Sequence, residues 1–322
     1  MKKSVDQESD SSRPATYGGK GWQQRRTNLQ QEIATGRLWH RCGYRSESSH
    51  LKEVVLSWPG EELAYSCAPD EMLMLARPDL AAIRNQCEKL AAFYESQGIT
   101  VHLARPSAPP PPNFLFQRDL FWATPDGVVL ARPAARQRAG EERFAAEALA
   151  KIGVPIVMHF RGTATFEGAD ALWLDKKTVL LGTGIRTNHE AARQLAAFLG
   201  ELDIELLTTT IPERSQHLLG IVNFVAADLA VVHGGKVTPH LTALLAAKEI
   251  KTIVLPDDDE LNFKLGMNFV TLAPGKIVMP SGAPRIKARL AAQGIEAHEI
   301  EVSEYLKAAG GPACLTGILR RE

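Results

Sequence analysis

LFWATPDGVVLARP, residues 120–133, reads as two short strands around a tight turn. Aromatic and β-branched residues flank Thr124-Pro125-Asp126-Gly127, a strong hairpin signal. The same reading recurs at Ala171–Thr183, Ile221–Gly234 and Met267–Pro280, turning at Asp175-Lys176-Lys177, Ala226-Ala227-Asp228 and Pro274-Gly275. The unit therefore repeats about every fifty residues, which is the mark of a ring or a stacked array. Each hairpin is followed by an amphipathic helix and another apolar strand. The helices are expected near Glu141–Lys151, from Thr187-Asn188 to Gly200, near Thr238–Lys248 and near Pro284–Gln293. The returning strands are expected at Val154–Phe160, read as buried, and at Ile204–Thr210, Thr252–Leu255 and Glu296–Val302.

Ahead of the first hairpin, Glu53–Trp58 reads as a strand. A helix follows from an Asp79 cap to a stop at Gly98, and then a strand at Thr100–Leu103. Neither Glu53–Trp58 nor the final apolar stretch Leu315–Arg320 has a hairpin partner. Pairing the two completes a fifth blade and removes two exposed edges. The predicted architecture is a five-bladed pseudo-symmetric α/β propeller over residues 46–322, with helices outside and a site on the central axis. Residues 1–45 are expected as an extension: a polar, disordered tail to about residue 27, then a docked helix within Thr27–Leu38. Arg105–Pro112 reads as a stiff linker, with a loop shaping the pocket entrance as the alternative.

The 37 basic and 37 acidic residues cancel, which excludes the electrostatic footprint of a nucleic-acid or anionic-membrane binder. Any charged ligand must be recognised locally. Four scattered cysteines without a CxxC pair suit a reducing compartment and argue against a zinc knuckle. The first residues lack the apolar core of a secretory signal, and no apolar run approaches membrane-spanning length, so a cytoplasmic location is expected. Self-association into a homo-oligomer is left open.

Reactive side chains stand at one phase of the repeat. Asp119, Glu167 with Asp170, and His217 come directly before hairpins, and Cys314 comes before the final strand. Equivalent positions in a closed ring lie at the same end, so these groups are expected to converge. A thiol, an imidazole and carboxylates in one pocket are the parts of covalent catalysis. Cys314 follows paired glycines, Gly310-Gly311, which let the backbone approach a ligand. The alternative for Cys314 is a small buried residue, and that for Asp119 is an ion pair with the adjacent Arg118 or with another arginine. His102, His159 and His298 share a different phase, within outer strands, which reads as packing. Arg186, ahead of a helix N-terminus, and Arg138 are candidate anchors for a substrate carboxylate. Asn268, within Met267–Pro280, joins them as a candidate substrate-binding residue. The GxG at 182–184 lacks the third glycine of a dinucleotide fingerprint.

The ordered set FQRD (116–119), TFEGAD (165–170), IRTN (185–188), QHLL (216–219), VLPDD (254–258) and GGPACLT (310–316) resembles the guanidino-group modifying enzymes of the pentein fold. That superfamily contains arginine deiminases, dimethylarginine dimethylaminohydrolases and amidinotransferases. SESSHLKEVVLSWPGEEL (46–63) is similar to the opening strand of arginine deiminases. The resemblance implies a five-bladed propeller and a small cationic guanidino substrate, with no metal or organic cofactor. It implies a hydrolase of a C–N bond in arginine or an N-alkylated arginine, working through a covalent amidino-thioether. In it Cys314 is the nucleophile, His217 the acid and base, and Glu167 a partner of both His217 and the guanidinium. Asp119 holds the other side of the guanidinium, with Asp170 beside it. Leu219 stands where deiminases and amidinotransferases carry an acid, and Asn113 and Arg118 stand where dimethylarginine hydrolases often carry acids. An amidinotransferase passing the group to an amine, and a pentein-like binding protein without catalysis, are the alternatives.

Overall fold

The computed structural model describes residues 13–322; of the tail expected to about residue 27, residues 1–12 lie outside the described residues. Five three-stranded sheets succeed one another. The first contains β1 (Leu51–Ser57) and β2 (Thr100–Ala104). The next four are β3 (Phe121–Thr124), β4 (Gly127–Leu130) and β5 (Ile156–His159); β6 (Ala171–Asp175), β7 (Thr178–Thr183) and β8 (Glu205–Thr210); β9 (Val222–Ala226), β10 (Leu229–His233) and β11 (Lys251–Leu255); and β12 (Val270–Ala273), β13 (Lys276–Pro280) and β14 (Glu296–Ile300). The last strand, β15 (Gly317–Arg321), returns to pair antiparallel with β1, as expected from two unpartnered ends.

Each hairpin pairs antiparallel, and each helical crossover brings its outer strand back parallel to the middle one. The middle strands β4 and β7 are buried throughout. The outer strands are sheet edges, which corrects the expectation of a buried strand at 154–160: β5 is exposed at both ends. The crossover helices are capped where the sequence provides an acceptor. Asp79, Asn188 and Thr238 accept from Ala82, Ala191 and Leu241 N–H. Thr187, expected as a second cap, is used in the site instead.

Adjacent sheets are stitched near the axis. Trp122 stacks on Trp173, 5.2 Å between centroids, joining the second and third sheets. Gly275 N–H donates to Val225 C=O between the fourth and fifth, and Arg321 donates to Thr271 C=O between the fifth and first. The extension contributes a helix at Leu29–Thr35 with an Asn28–Gln31 capping box, narrower than expected. His40 N–H donates to Gly153 C=O and Gly43 N–H to Leu319 C=O, which lays residues 40–43 along the propeller. Residues 13–27 carry one 3-10 turn, Ala15–Tyr17, in a mostly exposed path. Among the described residues no helix is long and apolar enough to cross a membrane.

Candidate active site

Single helical turns stand ahead of four inner strands: Gln117–Leu120, Gly168–Asp170, Leu218–Gly220 and Pro312–Leu315. Cys314 therefore sits in a turn, and the final strand starts at Gly317, two residues later than expected. These turns aim one side chain per blade at the axis. Asp119, Glu167, His217 and Cys314 are joined by Asn268, two residues ahead of β12. Gly168 shows how closely the turns meet, since a Cβ there would lie 2.5 Å from Phe121 O and 2.7 Å from Arg118 O. Only glycine allows the two backbones to touch and bring Glu167 beside Asp119.

The acids and cations form one buried network. His217 Nε2 lies 2.7 Å from Glu167 Oε2, and its Nδ1 is 3.8 Å from Asp119 Oδ1. Burial works against the imidazolium, but Asp119, Asp170 and Glu167 outweigh it and raise its pKa to about 9. Burial also opposes ionisation of Glu167, yet Arg138, His217 and Arg186 hold its carboxyl well below the usual range. Asp119 Oδ2 accepts from Arg138 at 2.8 Å, whereas its Oδ1 is buried without a hydrogen-bond partner among the described residues. The expected alternative, an ion pair of Asp119 with an arginine, is present through Arg138 and not through Arg118, which turns away to Glu47 and Tyr44.

Asn268 holds the thiol. Its Nδ2 donates to Cys314 Sγ at 3.0 Å, while its Oδ1 accepts from Ala313 N–H at 2.8 Å. Burial and Asp119 push the Cys314 thiol up; the Asn268 hydrogen bond, the Gly311 backbone and Arg138 pull the other way and do not cancel them. The paired glycines are required by their neighbours. A Cβ on Gly311 would meet Asn268 Oδ1 at 2.8 Å, and one on Gly310 would strike the Phe116 ring.

Three of the expected substrate-binding residues are already engaged within the protein. Arg138, expected to anchor a substrate carboxylate, is buried and committed to acids. Its Nε and one terminal nitrogen fork onto Glu141, and the other terminal nitrogen reaches Asp119 and Glu167. Asp170, expected to touch substrate, is fully buried and ties Thr187 Oγ to Leu218 N–H, pinning the His217 turn. Asn268, expected likewise, has its amide engaged by the Cys314 loop. Arg186 is half-buried and reaches Glu167 only at 3.5 Å, so it keeps donors for a ligand. Glu141 went unnoticed because an acid in a first helical turn is commonplace; its spacing of three from Arg138 was the available signal.

Cys314 and His217 lie where two arms of a cavity meet. Asp119, Arg138, Arg186, Asn113 and Phe116 line the polar arm. Pro112–Leu115 is a 3-10 turn that brings Asn113 there, so the proline-rich segment leads into the pocket wall. The second arm, about 310 Å3, is lined by Leu219, Met267, Phe263 and Leu261 with Asn268 and Gln216. Ligand atoms of Asp119, Glu167 and His217 lie within 4.8 Å of one another. Arg138 already supplies the counter-charge between the two acids, so a metal ion there would have to displace it.

The arginine deiminase family model matches residues 61–235 and 203–321. The chain is similar to the uncharacterized protein YkgA of Bacillus subtilis, 24% identical over 88% of this chain and 97% of that one. It is 23% identical to the N(G),N(G)-dimethylarginine dimethylaminohydrolase of Pseudomonas aeruginosa, over 83% and 98%. A solved structure of the Pseudomonas aeruginosa enzyme with citrulline superposes with a TM-score of 0.70 at 21% identity, covering 84% of this chain and all of that one. The N-terminal domain of ArgZ, an arginine dihydrolase from cyanobacteria, superposes equally well, with a TM-score of 0.70 at 21% identity over 82% and 96%. These likenesses show the fold, the pentein α/β propeller that the fifty-residue period anticipates.

Proposed function

The chain belongs to the arginine deiminase family, and on that premise we propose that it hydrolyses a C–N bond in a linear guanidino compound through Cys314. The observation that carries this reading is Asp119 Oδ1, a buried and unpartnered carboxylate oxygen beside His217 in the cavity that also holds Cys314. A buried acceptor without a donor is costly, and a planar cation with N–H groups along its edge satisfies it.

In the proposed reaction the guanidinium lies against Asp119 with its carbon over Cys314. Its charge offsets Asp119, the same anion that helps hold the free thiol protonated, so binding itself favours the thiolate. The sulfur attacks the guanidinium carbon. His217, kept cationic by three acids, delivers a proton to the departing nitrogen as the C–N bond breaks. The neutral imidazole then takes a proton from water, which attacks the amidino-thioether; the C–S bond breaks and a urea-type product leaves with the thiol restored. Arg186 takes the substrate carboxylate, and Arg138 positions the two acids. Among the described residues no acidic side chain lines the larger arm, where Leu219 and Met267 stand, which favours a guanidine with one alkylated nitrogen. Cys314→Ser tests the reaction. Incubation with arginine, methylated arginines, agmatine and guanidino acids, reading ammonia and alkylamine together, should show release only with Cys314 present. Undiminished turnover by the serine variant on any of them overturns the proposal.

A further inference from the structure

We propose that His40, Glu53 and His102 form a binding site for a divalent transition-metal ion of the zinc type. The site lies away from the axis and is independent of the hydrolase reading. His40 Nε2 lies 2.6 Å and His102 Nε2 3.1 Å from the same oxygen, Oε2 of Glu53. The three ligand atoms lie within 4.8 Å of one another. In a tetrahedral zinc centre, bonds of about 2.0–2.1 Å separate ligand atoms by about 3.3 Å, so the arrangement needs only small side-chain adjustments to close on an ion.

The strands dictate this convergence. In the parallel β1–β2 register Glu53 faces Thr100 and Val55 faces His102, so Glu53 and His102 share a face one diagonal step apart. On the other side Glu53 is opposite Arg320 of β15, whose guanidinium holds Oε1 at 2.7–2.8 Å. That clamp leaves Oε2 for the imidazoles. His40 descends onto it from the extension, fixed by its own N–H to Gly153 C=O. Glu53 is buried, so its carboxylate is held in place between the strands. Two imidazoles and one carboxylate suit zinc, cobalt or nickel, whereas calcium and magnesium prefer oxygen alone. His40 and His102 are partly exposed, and His102 lines a groove of about 620 Å3, through which water reaches a fourth position. An ion there ties the extension to the first sheet.

The test uses the full chain in a Cys314→Ser background, which removes the axial thiol as a competing ligand, stripped with chelator and titrated with Zn2+ by calorimetry and Co2+ by visible absorption. One equivalent should bind, with tetrahedral-type Co2+ bands and a raised unfolding midpoint. His40→Ala and His102→Ala should each weaken affinity by at least about tenfold and abolish the stabilisation. His102→Gln covers the case where alanine fails to fold. Failure to bind one equivalent of metal, or binding unchanged by loss of either imidazole, overturns the proposal.

Discussion

Asp119→Asn isolates the electrostatic control of His217 while keeping side-chain volume. The carboxylate oxygen lies 3.8 Å from Nδ1, and it is the largest influence raising the imidazole. Coulomb's law at that separation gives about 1 kcal/mol with the dielectric of water and about 4 kcal/mol with the value of about 20 that suits protein sites. Those limits correspond to about one and about three pKa units. The elevation from 6.5 to about 9 is the net of three acids against burial, so removing Asp119 should bring His217 down by about one to two units, close to neutrality. The thiol should fall as well, because Asp119 also raises Cys314. The direct assay is NMR titration of isotope-labelled imidazoles, with a His217→Gln spectrum to assign the resonance. The kinetic assay is the pH dependence of product release, in which kcat/KM should also drop steeply because the guanidinium loses its counter-ion. A His217 titration that stays near 9 in the asparagine variant refutes the electrostatic account of the site.

Other variants probe the surrounding structure. Glu141 is itself pushed up to about 7, by burial that Arg138 only partly offsets, so the pair is no large net source of stability. Glu141→Ala should nevertheless cost about 3 kcal/mol in urea unfolding, because it leaves the buried Nε and one terminal nitrogen of Arg138 without an acceptor. Gly311→Ala places a methyl against Asn268 Oδ1; kcat should fall about a hundredfold through displacement of the thiol, with only a small change in unfolding midpoint. The folded-state pKa of His217 is raised, so its contribution to stability is full below pH 6.5 and is lost as pH rises through 9. Relative to His217→Gln, urea melts should show about 3 kcal/mol of stabilisation disappearing across that window.

The propeller was legible because its signals are local and repeated. Thr124-Pro125-Asp126-Gly127 can hardly be anything but a turn, and the unpartnered strands at either end left one economical pairing. Four axial residues were legible for the same reason: a constant phase in a ring becomes a common location. What the sequence hid were the choices made among neighbours. Arg138 and Arg186 look alike as basic residues near hairpins, yet only three-dimensional proximity to Glu141, Asp119 and Glu167 commits the first and leaves the second available. Asp170 sits three residues from Glu167, but the turn points it back into the protein, where Thr187 and Leu218 N–H await it. The outer strand at 156–159 was misread because Ile, Val and Met in a row say apolar without saying which edge they cover.

The charge balance of the axis explains why a cation is the fitting ligand. Asp119, Glu167, Asp170 and Glu141 face Arg138, Arg186 and a protonated His217, so with every acid ionised one negative charge is left unmatched. The fold tolerates the excess by pushing Asp170 and Glu141 up to about 7, chiefly through burial, and by raising His217 to about 9. Both responses store protons in the free protein. A guanidinium entering beside Asp119 adds a positive charge that opposes both responses and should release protons on binding. An inert analogue titrated at pH 7 in buffers of different ionisation enthalpy should therefore show net proton release. A neutral ureido analogue should show little, since it offers N–H donors without the charge. Equal proton release by both ligands would mean that hydrogen bonding rather than charge sets the state of the site.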